Sequence, residues 1–255
     1  MADPPSASLG TRFRRLETDY RDQRDFLNFI SHEIRAPLAV IRGYSQMLLA
    51  GDLGPLPPLA RRPMAIVLAK AEQLDDLSET LLEATRAEGD KILYRIEPVA
   101  LADLAREVAE AFRAQPGFGS REVRVRGRSR LALADRSKLE SVIHNLVSNA
   151  AKYSPPESAI DILVRDRPGH VEITVSDRGP GIPASMRPRL FRRFERLPQA
   201  NRGSVAGIGL GLYISRVYVE GMGGEIWAGG RRGGGASFHT ALTVADEPAL
   251  VILLK

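Results

Sequence analysis

The apolar residues of the first fifty positions recur at alternating steps of four and three, which is the spacing of a long helix with one apolar seam. They stand at positions 9, 13, 16, 20, 27, 30, 34 and 41, and Gln23 fills the one polar gap. We therefore predict a single helix over residues 9–50. Pro37 lies inside this pattern and should bend the helix, because a proline removes a backbone hydrogen bond.

A turn separates this helix from a second one. Residues 51–63 hold two glycines and four prolines, a composition typical of a turn. A further seam at positions 66, 70, 73, 77, 81 and 84 predicts a helix over residues 63–87. The two helices would form an antiparallel hairpin. Because one hairpin cannot bury both seams, we expect a homodimer in which two hairpins form a four-helix bundle.

Composition narrows the classes of protein to which the chain can belong. No apolar run approaches 18 residues, so no membrane span is expected, and the first residues lack the apolar core of a signal peptide. Cysteine is absent, which excludes disulfides and is compatible with a cytoplasmic location. The net charge is +5, but the arginines are scattered rather than gathered on one basic helix, so no nucleic-acid partner is expected.

The pattern changes at residues 88–91, where we place the domain boundary. Beyond it, alternating segments predict strands at 92–96, 123–126, 130–134, 159–164 and 170–176, and the second is expected to pair with the third. Helices are predicted at 101–112, 137–152 and 208–221, before a closing hairpin of strands at 225–228 and 236–242. The expected fold class is α+β multidomain, a helical hairpin followed by an α/β sandwich. The predicted segments are a disordered or linker region 1–11, the hairpin 12–88, a linker 89–94, the sandwich 95–245 and a tail 246–255.

His32 is the chemically most suggestive residue of the first helix. If Leu27 and Ile34 occupy seam position a, His32 falls at f, farthest from the seam, and its imidazole should face solvent. Glu33 follows directly and could accept or orient a ring proton. The alternative is an ordinary exposed histidine.

Polar residues on the helix predicted at 137–152 suggest a nucleotide site. Asn145 and Asn149 are four residues apart and share one face. An amide oxygen is a hard, neutral ligand suited to Mg²⁺, which also binds substrate phosphates. Lys152 could reach a phosphate, and Tyr153 could pack on a base. The alternative is an ordinary polar helix face.

A second candidate segment follows the strand predicted at 170–176. Asp177 could accept a hydrogen bond from an exocyclic amine such as that of adenine. Gly179 and Gly181, which precede Ile182, would let the backbone approach a ring closely. A simple turn is the alternative.

A third segment opens the helix predicted at 208–221, with a glycine at every second position. Its residues are Gly207, Gly209, Leu210, Gly211 and Leu212. Free N–H groups at a helix N-terminus bind phosphate. A Rossmann fingerprint is disfavoured, because the spacing is GxGxG and no βαβ unit precedes it.

The residues between these two segments are basic and then rich in glycine and polar side chains. We expect a mobile lid over residues 197–206, anchored by Phe191 and Phe194. The six arginines over residues 187–202 would complement a triphosphate. Arg193 is the arginine that we assign to the nucleotide. A solvated basic loop is the alternative.

The order of these segments resembles the core of sensor histidine kinases. The boxes that begin at His32, Asn145, Asp177, Phe191 and Gly207 follow one another as in that family, and the resemblance covers about residues 12–243. It implies a dimerisation and histidine-phosphotransfer hairpin, followed by an ATP-binding domain of the gyrase type. The chain would be either a short soluble kinase or the cytosolic part of a larger sensor protein.

The resemblance also implies roles for individual residues. His32 would receive the phosphoryl group of ATP with Glu33 as the base, and would pass it to an aspartate of a response-regulator receiver domain. The nucleotide roles that it implies are Mg²⁺ binding by Asn149 with help from Asn145, phosphate contact by Lys152, adenine contacts by Tyr153 and Asp177, and phosphate contact with lid hinging by Gly207, Gly209 and Gly211.

Two positions depart from the family pattern. Members commonly carry Thr or Asn four residues after the histidine, where that side chain is linked to positioning water for dephosphorylation of the partner. This chain has Ala36, which implies weak phosphatase activity. Ile208 replaces a common Thr, which should be tolerated because the backbone makes the contacts. An ATP-binding dimeric scaffold, or an ATPase without kinase activity, remains the alternative function.

Overall fold

The computed structural model describes residues 33–89, 92–114, 118, 121–196, 209–245 and 251–254. The chain divides after Gly89 into two compact units. Within the described residues, no helix is long and apolar enough to cross a membrane.

The first unit contains a helical hairpin. Helix α1 covers residues 33–50 and passes through Pro37, and helix α2 covers Pro58–Gly89. Helix α2 therefore begins five residues earlier than predicted, with Pro63 inside it. The early start is possible because the first four N–H groups of a helix have no intrahelical partner, so that only the sixth residue, Pro63, interrupts the bonding pattern.

The two helices face each other through a narrow row of side chains. Leu38 and Ala71 are buried, and Arg42 Nη1 forms an ion pair of 2.8 Å with Asp75 Oδ2. Large apolar side chains of the same helices stay exposed, among them Ile34 and Ile41 on α1 and Val67 and Leu74 on α2. In the part of the hairpin that the structure describes, a single copy thus leaves apolar surface uncovered.

Several predicted seam positions cannot be compared with the structure. The seam residues before residue 33 lie outside the described residues, as does His32. The same holds for the side chains at positions 73, 77, 81 and 84.

The second unit combines helices with two sheets. Its helices are α3 (Leu101–Ala114), α4 (Arg136–Tyr153) and α5 (Gly211–Gly221), with a short 3-10 helix at Ala184–Arg189. Its strands are β1 (Leu93–Val99), β2 (Val123–Gly127), β3 (Ala132–Ala134), β4 (Ile160–Arg167), β5 (His170–Ser176), β6 (Glu225–Gly230), β7 (Ala236–Thr243) and β8 (Val251–Leu254).

The larger sheet has the strand order β2-β4-β5-β7-β6. Strands β4, β5, β7 and β6 pair antiparallel, whereas β2 pairs parallel with β4. The predicted pairing of 123–126 with 130–134 is therefore wrong. Gly127 ends β2 at positive φ, and β3 joins β1 instead, in a small sheet of order β3-β1-β8. Residues 251–254, predicted only as part of a tail, supply the third strand of that sheet.

Apolar side chains of the helices and of the inner sheet face form the core. Helix α4 buries Leu139, Val142, Ile143, Leu146, Val147 and Ala150. Asp135 caps this helix, because its carboxylate accepts from Lys138 N at 3.1 Å. Since the apolar residues occupy one side of α4, Asn145 and Asn149 lie at the edge of its buried face, half-buried.

The larger sheet carries a charge cluster around the buried Glu172. Arg165, Arg167, Thr174 and His239 all approach its carboxylate within 3.1 Å. Burial opposes ionisation of Glu172, but these hydrogen bonds outweigh it and lower its pKa to about 2. The ring of Trp227 stacks on His239 with 5.1 Å between centroids.

We expect Glu172→Gln to weaken the acid dependence of stability. The folded pKa of about 2 lies below the ordinary value of 4.5, so the cluster stabilises the fold fully above pH 4.5 and loses this contribution as the pH falls toward 2. The wild-type chain should therefore lose on the order of 3 kcal/mol more than the variant over this window. Urea unfolding followed by the fluorescence of Trp227, the single tryptophan, measures the difference. Equal acid dependence in both proteins would contradict the assignment.

Candidate functional site

The loop after β5 holds a buried carboxylate in a fixed orientation. Asp177 is 4% exposed, and its Oδ1 accepts hydrogen bonds from Gly179 N at 2.8 Å and Ala236 N at 3.0 Å. Asp177 N in turn donates to Ala236 O at 2.9 Å. Among the described residues, none donates to Oδ2. One oxygen thus anchors the side chain, and the other remains available to accept from a ligand.

Glycines let three chain segments meet around this aspartate. A Cβ at Gly179 would lie 2.6 Å from the carbonyl oxygen of Tyr153, and one at Gly235 would overlap the carbonyl of Asp177. Gly181 has φ +77° and would place a Cβ 3.2 Å from Gly235 O. The glycines therefore allow close approach of backbone to backbone, as well as the turn that leads to the half-buried Ile182.

A chain of hydrogen bonds connects α4 with α5. Asn149 Nδ2 donates to Asn145 Oδ1 at 3.3 Å, and Asn145 Nδ2 donates to Ser215 Oγ at 2.8 Å. Lys152 and Tyr153, one turn further along α4, are exposed. Both polar atoms of the Asn145 side chain, Oδ1 and Nδ2, are thus hydrogen-bonded to protein. Asn149 uses only its side-chain nitrogen in these hydrogen bonds. Ser215 is not among the site residues predicted from the sequence, although its position one turn after Gly211 places it on the face of α5 that begins with the glycine.

The N-terminus of α5 lies directly against the side chain of Asn145. A Cβ at Gly211 would overlap Asn145 Oδ1. The cap residue Leu210 is buried and makes no side-chain capping bond, while Leu212 is half-buried. Leu210 therefore provides no side-chain cap to the first-turn N–H groups, a property that suits a helix end for binding an anion. Gly207 and Ile208 lie outside the described residues.

The basic segment that ends at residue 196 contacts α5. Arg193 Nη2 donates to Tyr213 Oη at 2.8 Å, and the guanidinium lies 4.6 Å from the centre of the Tyr213 ring. Gly209, with φ +81°, would place a Cβ 2.9 Å from the carbonyl oxygen of Glu195. These contacts bring Arg193 and Gly209 to the start of α5.

Of the two phenylalanines expected to anchor this segment, only Phe191 is buried. Its ring meets that of Phe238 edge-on, with 6.5 Å between centroids. The expectation for Phe194 is wrong, because its side chain is 61% exposed. Phe194 has φ 57°, so that its backbone rather than its ring contacts Gly209.

Residues that no local sequence pattern marks support the Asp177 loop. Ser154 Oγ accepts from Arg178 N at 3.3 Å, and Arg178 Nη2 donates to Asp161 Oδ2 at 2.8 Å. The buried Arg121 donates to Ser154 O at 3.4 Å and to Pro155 O at 3.1 Å. Arg121 is more than thirty residues from these partners in sequence, and no local pattern marks such a contact.

The predicted site residues of the second unit meet helix α4 at two places. Asn145 and Asn149 of α4 meet the N-terminus of α5, and Tyr153 at the end of α4 meets the Asp177 loop. Glu33 belongs to the other unit, where it is exposed at the start of the described part of α1. Among the described residues, no group of three or more His, Cys, Asp or Glu side chains could hold a metal ion.

Two family models match the chain. The model described as "His Kinase A (phospho-acceptor) domain" matches residues 22–90. The model described as "Histidine kinase-, DNA gyrase B-, and HSP90-like ATPase" matches residues 134–246. The first match ends one residue beyond the first unit, and the second match lies within the second unit.

Two similar proteins are named as kinases. The adaptive-response sensory kinase SasA of Prochlorococcus marinus is 31% identical over 238 residues, which cover 91% of this chain and 60% of that protein. The circadian input-output histidine kinase CikA of Synechococcus elongatus is 30% identical over 218 residues, covering 84% of this chain and 29% of that protein. The chain thus spans less than two thirds of the length of these relatives.

Solved structures agree with these matches. Full-length ShkA in complex with AMPPNP has a TM-score of 0.67 and 27% sequence identity, covering 88% of this chain and 47% of that chain. The catalytic domain of the histidine kinase ThkA has a TM-score of 0.50 and 26% identity, covering 60% of this chain and 99% of that chain. The family models, the relatives and these structures together show that the chain belongs to the sensor histidine kinases and carries their catalytic core.

Proposed function

We propose that the chain is an ATP-dependent protein-histidine kinase that phosphorylates itself on His32 and passes the phosphoryl group to a response regulator. The observation that carries this proposal is the buried Asp177, whose Oδ1 is held by two backbone N–H groups while Oδ2 has no donor among the described residues. Such a carboxylate suits recognition of an exocyclic amine in a pocket that excludes water. An ATP donor also favours a cytoplasmic setting for the reaction.

The residues of the second unit fit ATP with Mg²⁺. We assign the adenine amine to Asp177 Oδ2, the ring to Gly179, Gly181, Ile182 and Tyr153, and the phosphates to Lys152, Arg193 and the glycine-rich start of α5. The side-chain oxygen of Asn149 is the proposed metal ligand, and phosphate oxygens and water would complete the shell. Bound Mg²⁺ would neutralise charge on the phosphates.

Asn145 supports the metal site in a different way from that suggested by sequence. Its Oδ1 accepts from Asn149 and lies against Gly211, while its Nδ2 donates to Ser215. These contacts favour a role in orienting Asn149 over a role as a second metal ligand.

The transfer step needs a nucleophile and a base. We propose that a ring nitrogen of His32 attacks the γ-phosphorus, that the bond from phosphorus to the β-phosphate oxygen breaks, and that Glu33 accepts the proton of the imidazole. ADP is the leaving group. The protein contributes mainly by positioning the reactants, because little other covalent chemistry is required of it.

We propose a homodimer built on the hairpin. Ile34 and Ile41 are seven residues apart on α1, and Val67 and Leu74 are seven apart on α2, so that each helix presents apolar residues at a two-turn interval. All four side chains are exposed in a single copy. A second hairpin packed on these residues would complete a four-helix bundle.

Ala36 should make the chain a poor phosphatase. It is exposed four residues after His32, and a methyl group cannot hold an attacking water by a hydrogen bond. We expect Ala36→Thr to accelerate the decay of a phosphorylated receiver domain with little loss of kinase activity, since threonine costs only a few tenths of a kcal/mol at an exposed helix site.

The decay of a receiver domain that the wild-type chain has phosphorylated, measured with ADP and each purified variant, tests this expectation. Ala39→Thr is the matched control, because it makes the same change at an exposed site of α1 one turn farther from His32. Rapid decay with the wild-type chain would show that another residue positions the water.

Incubation with ATP labelled on the γ-phosphate distinguishes the proposed function from its alternatives. We expect label on the protein that is lost in acid and kept in base, which is the behaviour of phosphohistidine. Release of free phosphate without labelled protein would instead indicate an ATPase. Nucleotide binding without either product would indicate a dimeric scaffold.

A further inference from the structure

Ser215 is a buried polar residue to which no role in the nucleotide site has been assigned by sequence. It lies one turn into α5, is 2% exposed, and accepts a hydrogen bond of 2.8 Å from Asn145 Nδ2. The Ser215 hydroxyl oxygen thus accepts from the amide nitrogen of Asn145, and this hydrogen bond turns that nitrogen toward α5.

This orientation determines which atom Asn145 offers to Asn149. With Nδ2 turned toward Ser215, Oδ1 faces Asn149 Nδ2 at 3.3 Å. Gly211 allows the approach, because a Cβ there would overlap Asn145 Oδ1. The nitrogen of Asn149 is thereby engaged, and its side-chain oxygen remains for a cation. If the Asn149 amide turned over, it would present an NH₂ group, which cannot bind a metal ion.

We propose that Ser215 is a positioning residue for the metal side of the nucleotide site, acting through Asn145 to present the oxygen of Asn149 to Mg²⁺. The inference rests on the proposed function, and it adds a residue of α5 to a metal site built on α4. It predicts that Ser215 matters for nucleotide bound with Mg²⁺ and not for nucleotide bound without it.

The test compares the Kd of ADP for the full chain in Mg²⁺ and in EDTA. For Ser215→Ala, we expect the Kd in Mg²⁺ to rise roughly three- to tenfold and the Kd in EDTA to stay unchanged. Ser215→Cys keeps a similar volume with a weaker acceptor, so it should give a smaller change in the same direction and serves if the alanine variant does not fold. Thr240→Val is the matched control, because Thr240 Oγ1 is buried and has no hydrogen-bond partner among the residues that the structure describes.

A double variant tests whether Ser215 acts through Asn145. Once Asn145→Ala has removed the connection, adding Ser215→Ala should cause no further loss of Mg²⁺-dependent affinity. Equal weakening by Ser215→Ala with and without Mg²⁺ would indicate a merely structural role and overturn the inference, as would wild-type affinity in both conditions. Failure of the wild-type chain to bind ADP would contradict the proposed function itself.

Discussion

Replacing Asp177 with asparagine should weaken ATP binding roughly 100-fold. The buried site would lose a charged acceptor, and the NH₂ group of the asparagine would face the amino group of adenine, so that two donors would meet. The amide oxygen can still accept from Gly179 N and Ala236 N, which hold Oδ1 in the wild-type chain. The amide nitrogen then takes the place of Oδ2 and faces the amine of adenine. The fold should survive, whereas recognition of the base should not.

Titration calorimetry with ATP measures this effect, and Asp166→Asn is the matched control. Asp166 is exposed on β4 and pairs with Val171 of β5. Val171 is five residues, or about 17 Å, from Ser176 at the other end of β5. The control should bind ATP as the wild-type chain does. Wild-type affinity in the Asp177 variant would mean that the nucleotide site has been misplaced.

Replacing His32 with glutamine should abolish phosphorylation of the protein and leave ATP binding intact. The acceptor and the nucleotide site belong to different units, so loss of the imidazole removes the nucleophile without disturbing the pocket. The remaining histidines lie in the second unit and have structural neighbours there. His144 stacks on Phe112, His170 Nδ1 lies 3.1 Å from Pro168 O, and His239 contacts Glu172.

The control for His32→Gln is the same substitution at His170. His170→Gln should keep full labelling, because His170 lies at the start of β5, at the opposite end of that strand from Asp177. Acid-labile label that persists on the His32 variant would refute the assignment of the acceptor.

Local patterns of the sequence predicted the elements that carry the site. The apolar positions of α4 define its buried side, which leaves Asn145 and Asn149 together at the edge. The position of Asp177 directly after β5 follows from the end of an alternating strand. These inferences need only the helical and strand periods, which neighbouring residues set.

Contacts between distant segments could not be predicted in this way. The parallel pairing of β2 with β4 joins Val123 to Ile160, with all of α4 between them, and alternation within a strand does not name its partner. The same limit applies to β8 and to the contact of Ser215 with Asn145, which are seventy residues apart. The prediction for Phe194 was wrong for a local reason, because the residue type does not predict the positive φ of its backbone.

The most direct test of the central claim is to locate the phosphoryl group on the wild-type chain after incubation with ATP and Mg²⁺. Trypsin should release residues 25–35, a peptide in which His32 is the only histidine and Ser31 the only hydroxyl-bearing residue. Mass spectrometry at neutral pH should find the phosphoryl group on His32, and brief acid treatment should remove it. An acid-stable phosphoryl group on Ser31, or modification of His144, His170 or His239 instead, would contradict the account.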